Sequence, residues 1–125
     1  MVGANAKTLR YVEQCDLLAK ISAAGITLDT ASGSKTSVHV GCFTREYDHM
    51  SYRDPELQPK YQASGSGFAL LANRLSWYYN LTGPSMVIDS ACSSSLNALH
   101  LGCESLRRGE SDMVATLSFP SFCNC

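Results

Sequence analysis

The stretch Asp89-Ser90-Ala91-Cys92-Ser93-Ser94-Ser95-Leu96 places one thiol among small and hydroxylated side chains. A short apolar run, Met86-Val87-Ile88, precedes it, and a helical pattern follows from about Cys92 to Arg108. A cysteine at such a junction has a chemical use. The first amides of a helix lack partners inside it and point at its start. Together with the macrodipole they favour an anion there, and the thiolate is the nucleophilic form of cysteine. A tight strand-to-helix turn also lifts a side chain out of the packed layer, as in nucleophile elbows. Ser90, Ala91, Ser93 and Ser94 leave room for a substrate to approach. The chemistry open to such a thiol is covalent, nucleophilic catalysis. A packed thiol in a small-residue turn is the commoner alternative, because reactivity depends on exposure and local field.

The other reactive residues give weaker signals. His39 falls in a predicted strand, His49 in a predicted loop and His100 on the helix after Cys92. His39 and His100 read as packed or half-buried residues and His49 as a solvated one, since a base must lie within hydrogen-bond reach of its proton. Asp89 reads as a strand-end residue held by hydrogen bonds. Gly65-Ser66-Gly67 before a helix is a turn rather than a phosphate cradle, lacking a lysine and the full fingerprint. Arg107-Arg108 complement a helix C-terminus, and Trp77, Tyr78 and Tyr79 read as core and interface packing. Of the six cysteines, Cys15, Cys42 and Cys103 fall in apolar segments, where a thiol behaves as a small hydrophobe. The thiols are therefore expected to be reduced. Cys123-Asn124-Cys125 has no second pair at zinc-ligand spacing, so no metal site is expected.

These residues need elements to position them. The chain has 125 residues, enough for one small domain. With 45% hydrophobic and 17% charged residues it has a globular composition. A net charge of -1 gives no basic surface for nucleic acid or an anionic membrane. No apolar run reaches the length of a membrane span, and the start lacks the apolar core of a secretory signal. Periodicity predicts a helix over 6–24 capped by Gly25, a polar turn over 29–35 and a buried strand from Thr36 to Phe43. A charged loop follows over 44–59, then the flexible Ser64-Gly65-Ser66-Gly67. A second helix carries Phe68, Leu71, Leu75 and Tyr78 or Tyr79, and ends at Leu81-Thr82-Gly83-Pro84. The third helix is expected to bury Leu96, Leu99, Cys103 and Leu106 and to close at Gly109, before a strand from Asp112 to Leu117. Strands alternating with helices indicate an α/β layer with largely parallel pairing.

From about Gly25 to Met113 the chain resembles the β-ketoacyl synthase (ketosynthase) domain of fungal iterative type I polyketide synthases and their fatty-acid-synthase relatives. The residues around Cys92 are similar to that family's active-site motif: an acidic residue, Thr or Ser, Ala, Cys, then serines. Val40-Gly41-Cys42-Phe43-Thr44 with Tyr47-Asp48 resembles its first core strand and following loop. Tyr61-Gln62-Ala63-Ser64-Gly65-Ser66-Gly67 and Ala72-Asn73-Arg74-Leu75-Ser76 resemble the helix before the nucleophile strand. Leu99-His100-Leu101, Ser105-Leu106-Arg107 and Gly109-Glu110-Ser111-Asp112-Met113 resemble the helix after it and its exit. Matched blocks in one order make the resemblance specific.

The resemblance implies a partial thiolase-like fold, of which this chain holds part of the N-terminal half. Residues 1–24 would be a poorly matching N-terminal helix, 25–113 the partial synthase domain and 114–125 a divergent end. Cys92 would be the catalytic residue. It would accept an acyl chain from carrier-protein phosphopantetheine and pass it to a malonyl unit that loses carbon dioxide. The backbone amide of Cys92 would supply one oxyanion-hole donor. No cofactor would be held by this chain. Its partners would be an acyl carrier protein, other synthase domains and a second synthase copy in a homodimer, and its location the cytoplasm. The family also uses two histidines well downstream of the cysteine, and His39, His49 and His100 lie outside those motifs. An isolated fragment is therefore expected to be inactive in condensation, and poorly stable because sheet edges and apolar helix faces stay uncovered. Two other readings are a decoy partner that binds a full-length synthase, and a cysteine hydrolase using a nearby histidine.

Overall fold

The computed structural model describes residues 25, 27–43, 61 and 67–118. Six elements alternate along them: α1 (Leu28–Ala31), β1 (Thr36–Gly41), α2 (Leu70–Tyr78), β2 (Ser85–Ile88), α3 (Ser94–Arg107) and β3 (Met113–Ser118). The helix expected over 6–24, the loop over 44–59, residues 64–66 and the terminal cysteines lie outside the described residues.

The three strands form one parallel sheet in the order β2-β1-β3. His39 pairs with Met86 on one side and with Thr116 on the other. The earliest described strand thus occupies the centre, and all six of its residues are buried. That matches the burial expected of this run as far as Cys42, but the strand stops at Gly41 and Phe43, expected to end it buried, is exposed. A parallel strand needs a crossover to its neighbour, and α2 and α3 supply the helices for those crossovers.

Side chains alternate across a strand, so β1 has two different faces. Val38, Val40 and Cys42 enter an apolar cluster with Ala72, Leu75, Tyr79 and Leu117. Phe68, Leu71, Leu81, Val87 and Ala115 pack against its rim. This is the α2 side, and the expected stripe of α2 holds, with Tyr79 buried and Tyr78 exposed. Trp77 is 82% exposed, so it does not pack as core.

Ser37, His39 and Gly41 face α3. There the expected stripe is reversed. Leu96, Leu99 and Leu106 are exposed, as is Cys103, whereas Ser94, Ala98, Gly102 and Ser105 are buried. The cause is clearance. A Cβ on Gly102 would stand 2.7 Å from Val114 Cγ1, and one on Gly41 would stand 2.7 Å from backbone atoms of Ser94 and Ser95. A helix this close to a sheet accepts only small side chains beneath it, so the leucines point outward. His100 is exposed with them, contrary to a packed reading.

Two ends also differ from the expected pattern, and a third follows it. Part of the polar turn over 29–35 is helical, because the amides of Thr30 and Ala31 bond to the Thr27 carbonyl at 3.1 and 3.0 Å and Asp29 complements the first turn. α2 stops earlier, at Asn80, whose φ of 53 reverses the chain. Leu81 N–H then reaches the Ser76 carbonyl at 2.8 Å and Asn80 N–H the Trp77 carbonyl at 3.3 Å, the Schellman pattern. α3 ends the same way at Gly109, as expected, with Glu110 N–H on the Ser105 carbonyl at 3.0 Å. Arg107, in its last turn, and Arg108, its C-cap, sit at the helix C-terminus as expected and pair with Glu104 at 3.3 and 3.4 Å on the surface, an arrangement that adds little stability.

Candidate active site

Between the end of β2 at Ile88 and the start of α3 at Ser94 the chain makes a tight turn through Asp89, Ser90, Ala91, Cys92 and Ser93. Ala91 has φ 55, a left-handed conformation that costs a residue with a Cβ. The side chain of Cys92 is exposed, and its sulfur is a free thiol. Ser93 is the cap residue of α3, so Cys92 stands one position before the cap. The helix therefore begins slightly later than periodicity suggested, and Cys92 is presented at its tip. No acidic residue lies in the first turn of α3 to neutralise its positive end.

The turn is held from within. Asp89 Oδ1 accepts from the Ala91 amide at 3.2 Å, the strand-end role expected of it. The Ser93 hydroxyl donates to the Ser90 carbonyl at 2.8 Å. The Ser94 hydroxyl accepts from the Ser90 amide at 2.8 Å and donates to the Ala91 carbonyl at 2.6 Å. Asn97, one turn into α3, donates from Nδ2 to the Ser90 hydroxyl at 2.6 Å. Gly41, at the C-terminal end of β1, abuts the backbone of Ser94 and Ser95. The turn thus rests on the C-terminal edge of the sheet, where open α/β sheets place their ligands.

The sequence singled out Cys92 and Asp89 but not the bracing role of Ser94 or the part of Asn97. The signal available was spacing: Asn97 follows Ser93 by four residues, so both lie on one face of the helix near its start. The small residues at Gly41 and Gly102 were likewise a signal of close approach.

Among the described residues no histidine is hydrogen-bonded to Cys92. His39 is 1% exposed and lies in β1 beneath Gly102, with neither ring nitrogen hydrogen-bonded. Burial lowers its proton affinity from the ordinary 6.5, against a raising influence of the Glu110 charge. His100 lies among the exposed residues of α3, and His49 is outside the described residues. Cys42 is a buried thiol and Cys103 an exposed one. Among the described residues no group of three or more His, Cys, Asp or Glu side chains could hold a metal ion. No helix among them is long and apolar enough to cross a membrane.

Comparison with known proteins agrees with this geometry. Residues 17–117 match the family model of the β-ketoacyl synthase N-terminal domain. The chain is 54% identical over 94 residues to the highly reducing polyketide synthase Preu1 of Preussia isomera, covering 75% of this chain and 4% of that protein. It is 56% identical over 90 residues to the hybrid PKS-NRPS synthetase pytA of Aspergillus terreus, covering 72% of this chain and 14% of that protein. The chain therefore spans only a small part of these relatives. Among solved structures it is similar to the ketosynthase from module 6 of the bacillaene synthase of Bacillus subtilis 168. The TM-score is 0.59 at 35% identity, over 73% of this chain and 14% of that one. It is also similar to the oxazolomycin ketosynthase domain OzmH KS7 of Streptomyces albus JA3453. Here the TM-score is 0.60 at 30% identity, over 74% of this chain and 16% of that one. The parallel sheet and its helices are thus part of the thiolase-like fold, and the chain belongs to the β-ketoacyl synthase family, of which it carries N-terminal-domain sequence.

Proposed function

We propose that this chain is the part of a polyketide-type β-ketoacyl synthase that carries the acyl-accepting thiol, and that Cys92 is that thiol. The observation that carries the reading is an exposed cysteine at the tip of α3, next to a left-handed residue, on the turn leaving β2. As thiolate, the Cys92 sulfur adds to the carbonyl carbon of an acyl thioester delivered on carrier-protein phosphopantetheine. The adduct collapses by breaking the bond from that carbon to the donor sulfur, which leaves and takes up the proton Cys92 has lost. The Cys92 amide donates to the oxyanion formed on the way. In the condensation a malonyl unit loses carbon dioxide, its electron pair forms the new carbon–carbon bond to the acyl carbon, and the bond to Cys92 breaks. Splitting the transfer in two in this way is covalent catalysis.

The condensing half requires groups other than His39, which is sealed under α3. The stretch alone is accordingly inactive in condensation while remaining competent for self-acylation. Its partners on this reading are the acyl carrier protein, the other synthase domains and a second synthase copy in a homodimer. Its place is the cytoplasm, and it holds no cofactor of its own. The test is to incubate the chain with an acyl-pantetheine thioester and look by mass spectrometry for an acyl adduct on the Cys92 peptide. The expected adduct is absent in Cys92→Ala, and a folded wild-type chain that acquires none overturns the proposal.

A further inference from the structure

We propose that Ser94 and Asn97 are positioning residues for Cys92, Ser94 spanning the left-handed kink at Ala91 and Asn97 anchoring Ser90 just before it; this rests on reading Cys92 as the acyl acceptor. A left-handed alanine persists only where its surroundings over-determine it. Here every backbone polar group of Ser90 and Ala91 has a partner. The Ser90 amide donates to Ser94 Oγ, and its carbonyl accepts from the hydroxyl and amide of Ser93. The Ala91 amide donates to Asp89, and its carbonyl accepts from the hydroxyl and amide of Ser94. One hydroxyl, that of Ser94, thus bridges the residues on both sides of the peptide that turns.

Ser94 is 4% exposed and its backbone is pressed on Gly41, so it cannot reach a substrate. It acts through the turn, and its own position is set by the sheet. Asn97 reinforces the Ser90 side. Its amide fixes the Ser90 hydroxyl at 2.6 Å, from a helical turn that packs with α3 as a unit. Neither residue serves the helix as a cap in the ordinary way. Ser93, the cap residue, makes no side-chain cap hydrogen bond, and the polar side chains of this region point back to the turn. The braces therefore keep Cys92 in one orientation relative to the amides of α3. A displacement of about an ångström at a reacting group costs as much as a hundredfold in rate.

The test compares wild-type chain with Ser94→Ala and Asn97→Leu. Each is given an acyl-pantetheine thioester, and in a parallel arm iodoacetamide, with peptide-level mass spectrometry. Cys103, exposed on the same helix, is an internal reference thiol. Both variants should acylate Cys92 about tenfold or more slowly. Their iodoacetamide labelling should fall at Cys92 relative to Cys103. Acylation at the wild-type rate in both variants overturns the proposal. So does labelling in which Cys92 and Cys103 change together, which marks general loosening of the helix. Should Ser94→Ala not fold, the exposed Asn97 site decides alone. A wild-type chain that takes no acyl group defeats the acyl-acceptor reading instead, and the labelling ratio still decides whether the braces orient the thiol.

Discussion

On one side of the sheet Val38, Val40 and Leu117 meet Ala72, Leu75 and Tyr79 of α2 and its end. On the other, Ser37, His39 and Gly41 lie beneath Ser94, Ala98, Gly102 and Ser105 of α3. The same strand, read at alternate residues, serves both. α2 is held by burial of apolar area, a force without direction that tolerates sliding. α3 is held by contact distance and by directional bonds. Ser37 donates to Ser111 at 3.1 Å, and Ser111 and Ser105 share a hydrogen bond of 2.9 Å, all three buried. Close packing with few voids fixes a position more sharply than bulk does. The helix that presents Cys92 is the one seated in this second manner. The difference suggests a division of labour: stability from the α2 side, placement from the α3 side.

Substitutions can break that division. The largest effect is expected at Leu75, 1% exposed in the apolar cluster. Leu75→Ala should lower unfolding free energy by about 2–5 kcal/mol in urea titration, while the Cys92-to-Cys103 labelling ratio under conditions where the chain stays folded is unchanged. A large change in that ratio would erase the contrast. Gly102→Ala is expected to cost less, about 1–3 kcal/mol, because the new methyl meets Val114 Cγ1 at 2.7 Å and must lift α3 from the sheet. Its signature is a shift in the labelling ratio despite the smaller loss of stability. A variant as stable as wild type would show that α3 has slack.

The smallest effect is a pH dependence. His39 in the folded chain binds a proton less readily than its ordinary 6.5, chiefly because it is buried. The unfolded chain therefore takes up a proton first as pH falls. Stability is complete above about 6.5 and declines below it, toward the lower value of the folded state. His39→Phe keeps a ring in the site and removes the titration. Between about pH 7.5 and pH 5.5, values chosen to span the ordinary titration, wild type should lose more stability than the variant. Equal losses would mean that His39 gains no charge on unfolding.

Much of the fold was legible because its signals are local. The buried run from Thr36 and the alternation of strands and helices follow from residue type and period. So does the close of α3 at Gly109. Cys92 stood out for the same reason: a thiol between an apolar run and a helical pattern. What failed was the facing of α3. Its leucines and its small residues both repeat at helical spacing, and period alone cannot tell which stripe meets the sheet. That choice is made by Gly41 and Gly102, which are distant in sequence from each other, through the space they leave. The bracing by Ser94 and Asn97 was hidden for a related reason. It depends on the left-handed turn at Ala91, a conformation that alanine seldom adopts.

The order β2-β1-β3 has a consequence for a chain emerging from the ribosome. The central strand is made first. Its partner residues Thr36 and Met113 lie on the order of 80 residues apart, roughly 4–16 s of elongation at ordinary rates. Until β2 is made the run Thr36–Gly41 has both hydrogen-bonding edges open, and the edge that receives β3 stays open through the whole interval. Newly made chains on neighbouring ribosomes would meet it before β3 does, so slowing elongation after Gly41 should favour intermolecular strand pairing over the native sheet.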